Sequence, residues 1–126
     1  MISSIESITL FSEDAKKLAD FYKEKVGLEV ILEAEMGDQD DQLYGFKMGS
    51  AGFYIVDHSE IKGQAKEPKR MIINFEVGDI EADAKKLEQA GVKKIKDVYH
   101  VENYGYIATF EDLDGNLYQI VQVKES

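Results

Sequence analysis

A chain of 126 residues with 44% apolar and 32% charged side chains is long enough to bury a core without staples. It has no cysteine, which excludes disulfides, thiolate metal sites and a cysteine nucleophile. Fifteen basic against 25 acidic residues give a formal charge of −10, and such a surface repels phosphate backbones and anionic lipid unless its cations cluster. They do not: Lys16/Lys17, Lys85/Lys86 and Lys93/Lys94/Lys96 are interleaved with acids, as on a solvated face. No nucleic-acid partner is expected. No apolar run approaches the ~20 residues of a membrane span. Met1-Ile2-Ser3-Ser4 shows no basic region followed by an apolar stretch, so the expected location is cytoplasmic.

Ile5 to Phe11 alternates, with Ile5, Ser7, Thr9 and Phe11 on one side and Ile8 and Leu10 on the other, which predicts a strand. Ser12 is placed to cap a helix over Glu13 to Val26, with Asp14 near its positive end. Ala15, Leu18, Ala19, Tyr22 and Val26 form its apolar stripe, and Gly27 suits a left-handed C-terminal cap. Strands are expected at Leu28–Leu32, Leu43–Met48 and Gly52–Asp57, with Gly37-Asp38-Gln39-Asp40-Asp41 as a hairpin loop. A polar linker, Glu60 to Lys69, precedes a second cycle. That cycle has a strand at Met71–Val77, a helix capped by Asp79 and ended by Gly91, and strands at Val92–Val98, Tyr106–Glu111 and Leu117–Val123.

Sliding the chain by about 65 residues brings Leu10 onto Phe75, Asp14 onto Asp79 and Ala19 onto Ala84. The order of elements repeats even where identity does not, so the expected class is α+β, with two βαβββ modules at about 1–60 and 70–126 in a single domain of 126 residues.

Three stretches carry a family resemblance. They are Asp14 through Phe21-Tyr22 to Val26-Gly27-Leu28; Phe75-Glu76-Val77-Gly78-Asp79-Ile80 ending at Gly91-Val92; and Phe110-Glu111-Asp112-Leu113-Asp114-Gly115-Asn116-Leu117-Tyr118-Gln119. At these spacings the chain resembles the glyoxalase/bleomycin-resistance/extradiol dioxygenase (vicinal oxygen chelate) superfamily, with Leu113 where that family's last hairpin usually has proline. The resemblance implies a cup-shaped mixed sheet with helices on its outer faces, and it implies a homodimer. Metal-dependent members hold a divalent ion through His, Glu or Gln on the first and last strands of each module. Carried onto this chain, those positions are Ser7, Ile72, Gln119 and, nearby in the first module, Tyr54. Only Gln119 is a plausible ligand, so no metal and no other cofactor is expected.

The two histidines, His58 and His100, read as loop or surface residues, with His100 open as a general base. Asp38–Asp41 and Asp112–Asn116 lack calcium-loop spacing and read as turns. Strand parity groups Ser7, Thr9 and Phe11, and likewise Ile72, Asn74 and Glu76, with Gln119 between Leu117 and Val121. The expected ligand-binding set is Ser7, Thr9, Tyr54, Asn74, Glu76, Tyr104, Tyr106 and Gln119, an apolar lining with a few convergent polar groups. Glu76 is a weak candidate for a general base if its strand desolvates it. Tyr99, His100, Tyr104 and Tyr106 read as either a stacking lid or a packed hairpin or interface. The functional expectation is a small-molecule-binding protein; the alternative is a lyase, isomerase or dioxygenase with an atypical metal set.

Overall fold

The computed structural model describes residues 1–36 and 41–124. Of the expected loop Gly37 to Asp41, residues 37–40 lie outside the described residues, and Asp41 begins a strand. The chain divides into two compact units, Met1–Gly63 and Gln64–Ser126.

In the first unit, β1 (Ser7–Ser12) leads into α1 (Ala15–Phe21) and a π-helical turn (Tyr22–Val26). Three strands follow: β2 (Val30–Met36), β3 (Asp41–Phe46) and β4 (Gly52–Asp57). The sheet order is β1-β4-β3-β2, with β1 parallel to β4 and the other pairs antiparallel. Tyr22 meets Phe46 and Phe53 edge-on at 6.5 and 5.5 Å, so the helix side of this sheet is an aromatic core. Ala15, Leu18 and Ala19 are buried on it, while Ser7, Thr9 and Phe11 alternate to the other face.

The second unit repeats the order. It contains a 3-10 turn (Pro68–Arg70), β5 (Ile73–Glu76), α2 (Ile80–Gln89), β6 (Lys93–Val101), β7 (Gly105–Glu111) and β8 (Leu117–Val123). Its sheet order is β5-β8-β7-β6, again with one parallel pair, β5 with β8. Ile80, Ala84 and Leu87 of α2 are buried against this sheet, as are Ala108, Phe110, Tyr118 and Ile120. The architecture is therefore α+β, two open four-stranded mixed sheets each carrying one helix.

Several local expectations change. Ser12 is not the helix cap: it ends β1, and its hydroxyl accepts from Asp14 N–H at 3.1 Å. Asp14, extended at φ −140°, is the N-cap and accepts from Lys17 N–H, as Asp79 accepts from Ala82 N–H. The first helix does not run evenly to Val26. Its last turn widens, because Gly27 and Leu28 both donate to Tyr22 carbonyl at 2.9 Å and Gly27 takes φ +91°. The expected strand at Leu28 therefore begins only at Val30. β6 runs on to Val101, so Tyr99 and His100 are strand residues rather than loop residues.

Candidate functional site

Cross-strand partners share a face, so the ladders place each candidate side chain. In the first unit Ser7 lies opposite Gly52 and Thr9 opposite Tyr54, and Tyr54 lies opposite Gly45. The ring of Tyr54 lies flat along this row. A Cβ added to Gly45 would sit 3.1 Å from Cε1 of Tyr54, and one on Gly52 would sit 2.7 Å from Cε2. The two glycines thus form a floor for the phenol, away from the helix. Beside it opens a cavity of ≈ 320 Å³ lined by Tyr54, Gly45, Gly52, Ile31, Leu32 and Met48. Ser7, Thr9 and Tyr54 are together as expected.

In the second unit Asn74 lies opposite Gln119, and Gln119 opposite Thr109. Gln119 Nε2 donates to Thr109 Oγ1 at 3.1 Å, and Thr109 is buried. This makes a polar row across β5, β8 and β7 on the helix-free face. Thr109 was missed in the sequence. The signal was present, because the turn centred on Asp114 pairs position 109 with 119, but it requires the hairpin register. Tyr54 and Gln119 are structurally equivalent: each opposes the matching first-strand residue, Thr9 or Asn74.

Tyr106 does not join that row. It pairs with Gln122 on one side and His100 on the other, in step with Ala108 and Phe110 on the helix side. Tyr106 and Gln119, both in the expected binding set, therefore lie on opposite faces of this sheet. Glu76 ends β5, an outer strand of its sheet, and is exposed, so it is not a desolvated base. Glu76, Tyr106, His100, Gln122 and Lys124 instead line one cavity of ≈ 810 Å³ where β5 and β8 end and β7 begins. The His100 and Tyr106 rings lie 5.0 Å apart at 50°. Tyr104 sits in the β6–β7 turn, where its carbonyl accepts from Lys124 N–H at 2.7 Å. Tyr99, one residue from His100, points to the opposite face, with the Lys96 ammonium 4.0 Å above its ring.

Each parallel pair also anchors its helix. Asp57 Oδ1 accepts from Ala15 N–H at 2.7 Å, and Gln122 Oε1 accepts from Ile80 N–H at 2.8 Å. Asp57 Oδ2 takes Gln42 N–H as well, at 2.9 Å. His58, next to Asp57, accepts from Glu60 N–H through Nδ1 and packs edge-on against Phe11 at 5.1 Å. Asp112 is buried and gathers the N–H groups of Asp114 and Asn116 at 2.9 Å each, a turn stabilised from within. Burial pushes the Tyr118 phenol well above its ordinary value, and pushes that of Tyr44 up as well.

The metal positions of the resembled family do not fit an ion. Ser7 and Tyr54 offer hydroxyls, Gln119 an amide, and Ile72, exposed just ahead of β5, offers nothing. Among the described residues no three His, Cys, Asp or Glu side chains gather where they could hold a metal.

A profile of the Glyoxalase/Bleomycin resistance protein/Dioxygenase superfamily matches residues 4–120. The chain belongs to that superfamily. The Bacillus subtilis (strain 168) protein YetH is 26% identical over 118 residues, covering 94% of this chain and 97% of its own. The glyoxylase/bleomycin resistance protein/dioxygenase domain from Frankia sp. EAN1pec superposes with a TM-score of 0.78 at 15% identity, over 98% of this chain and 100% of that one. TnmS3, an antibiotic binding protein from Streptomyces sp. CB03234, gives 0.77 at 23% identity, over 98% of both chains. At such identities these two structures speak for the fold. Superfamily membership supports small-molecule binding at family level. No helix among the described residues is long and apolar enough to cross a membrane.

Proposed function

We propose that this chain is a small-molecule-binding protein that works without a catalytic metal, through the helix-free faces of its two sheets. The observation that carries this is the Tyr54 phenol laid over Gly45 and Gly52 beside a cavity of mixed lining, at the position where the family resemblance places a metal ligand. A flat aromatic surface with a hydroxyl at its edge suits a flat organic ligand and gives a divalent ion little. The row Asn74–Gln119–Thr109 supplies amide and hydroxyl groups of the same use on the second sheet. The antibiotic bound by a structural neighbour makes organic antibiotics the first class to screen. The reading includes a cytoplasmic homodimer with no nucleic-acid partner, tested by light scattering.

Two measurements test the function. Elemental analysis of untagged, unchelated protein is expected to find no stoichiometric transition metal; about one per chain would overturn the metal-free reading and put an atypical lyase, isomerase or dioxygenase in its place. A ligand-observed NMR screen of antibiotics, repeated with Ser7→Trp and Asn74→Trp, is expected to lose its hits in the folded variants. Hits unchanged in both would move the site off these faces.

A further inference from the structure

One row of side chains crosses each sheet where its helix starts, and the two rows are filled differently. The rows correspond, because Asp57 and Gln122 each accept the first helical N–H, from Ala15 and from Ile80. In the first unit the row is Glu35, Gln42 and Asp57, on β2, β3 and β4. Its members bond to one another: Gln42 Nε2 donates to Glu35 Oε1 at 3.4 Å, and Gln42 N–H donates to Asp57 Oδ2 at 2.9 Å. In the second unit the row is His100, Tyr106 and Gln122, on β6, β7 and β8. Here both rings are exposed and lie 5.0 Å apart at 50°, and among the described residues neither ring is hydrogen-bonded.

The three side chains leave one face of the sheet and together line the ≈ 810 Å³ cavity. That volume lies within the range of small-molecule sites, about 300–1,000 Å³. Gly78 and Gly105, also at its wall, add no side chain that would fill it. The Ile80 N–H is a donor, so it takes the oxygen of the Gln122 amide and leaves the amide nitrogen with two N–H to give. A ligand edge beside the rings is therefore asked for an acceptor. Glu76 reaches the cavity wall too, but it pairs with Val121 and leaves β5 on the opposite face, so the row itself carries no carboxylate. An uncharged flat ring suits the two aromatic faces, and a carbonyl on its edge suits the amide.

We propose that the His100–Tyr106–Gln122 row is a second ligand site, separate from the helix-free faces, for an uncharged aromatic compound carrying a carbonyl on its ring. The ring lies against Tyr106 and His100, and the carbonyl oxygen accepts from Gln122 Nε2.

An NMR titration with nicotinamide at neutral pH, following assigned backbone amides, tests it. The Gly78 and Gly105 amides are expected to shift saturably, with a dissociation constant of about 1–10 mM. Cyclohexanecarboxamide, which lacks the aromatic ring, and pyridine, which lacks the carbonyl, are each expected to bind at least about fivefold more weakly. Gln122→Glu keeps an acceptor for Ile80 N–H but gives up the donors, and is expected to bring nicotinamide down to the affinity of pyridine. Tyr106→Ala, at an exposed position, is expected to abolish binding of both. Ser7→Trp is expected to leave these shifts unchanged, which separates this site from the proposed primary one. Gly78 and Gly105 amides that do not respond to nicotinamide overturn the proposal. So does either analogue binding as tightly as nicotinamide, wild-type affinity in a folded Gln122→Glu or Tyr106→Ala protein, or a response lost in folded Ser7→Trp.

Discussion

The two units share a frame and differ in what fills it. Both begin with a strand whose end is capped by an aspartate into a helix, Asp14 or Asp79, and both tie the helix start to the last strand through one side chain. The first unit does this with a carboxylate, the second with a neutral amide. On the helix-free face the first has Tyr54 over Gly45, and the second has Gln119 bonded to Thr109. At the strand ends the first packs Phe11 edge-on against His58, and the second sets the His100 and Tyr106 rings 5.0 Å apart on neighbouring strands. A duplicated scaffold tolerates such divergence because its stability rests on the helix-facing core, which leaves the other positions free to take up chemistry.

The comparison breaks first at the cores if it is wrong. Phe46 and Phe110 are both nearly inaccessible on the helix side of β3 and β7, so alanine at either is expected to cost about 3–5 kcal/mol in denaturant unfolding. A loss below about 1 kcal/mol at one of them would show that the two units do not rest on equivalent cores. The helix anchors sharpen the contrast. Asp57→Ala removes a charged acceptor from two N–H groups and is expected to cost about 1.5–3 kcal/mol, against about 1 kcal/mol for Gln122→Ala. Equal losses would mean that the carboxylate is solvated and adds nothing over the amide.

Gly115→Val tests the last hairpin, because Gly115 sits at φ +83° and its Cβ would fall 2.6 Å from Gln64 Oε1. The flexible Gln64 side chain can move away, so the strained backbone dominates, at about 1–3 kcal/mol. An unchanged melting temperature would refute the turn assignment.

The smallest effect concerns pH. Burial raises the Tyr118 phenol, so the folded state holds its proton more tightly than the unfolded chain, whose tyrosine titrates near ~10. The stability this contributes is complete below that pH and declines as pH rises above it. Tyr44 adds the same sign, again through burial. Tyr118→Phe is expected to flatten the alkaline decline measured by chemical denaturation above about pH 10. A decline unaltered by the substitution would assign it elsewhere, for instance to the mutual repulsion of a chain carrying a formal charge of −10.

Much of this was legible in the chain itself. Period-two alternation over residues 5–11 placed Ser7 and Thr9 on one face, and Gly27 and Gly91 marked helix ends that the structure keeps at positive φ. The order of elements, repeated after about 65 residues, pointed to the α+β class. These are local or compositional properties, and a single chain displays them.

Only the tertiary structure decided the rest. Whether Tyr106 faces with Gln119 or against it depends on the register of β7 on β8, and a one-residue slip reverses every side chain. The strand character of His100 depends on a β6 that outruns its apolar pattern because β7 supplies partners for its backbone. Whether Glu76 is desolvated could not be read from Ile72, Asn74 and Phe75 around it; an outer strand leaves it exposed. Sequence spacing determines which side of a strand a residue takes; which residues then meet is determined by hydrogen-bonded pairing between segments far apart in the chain.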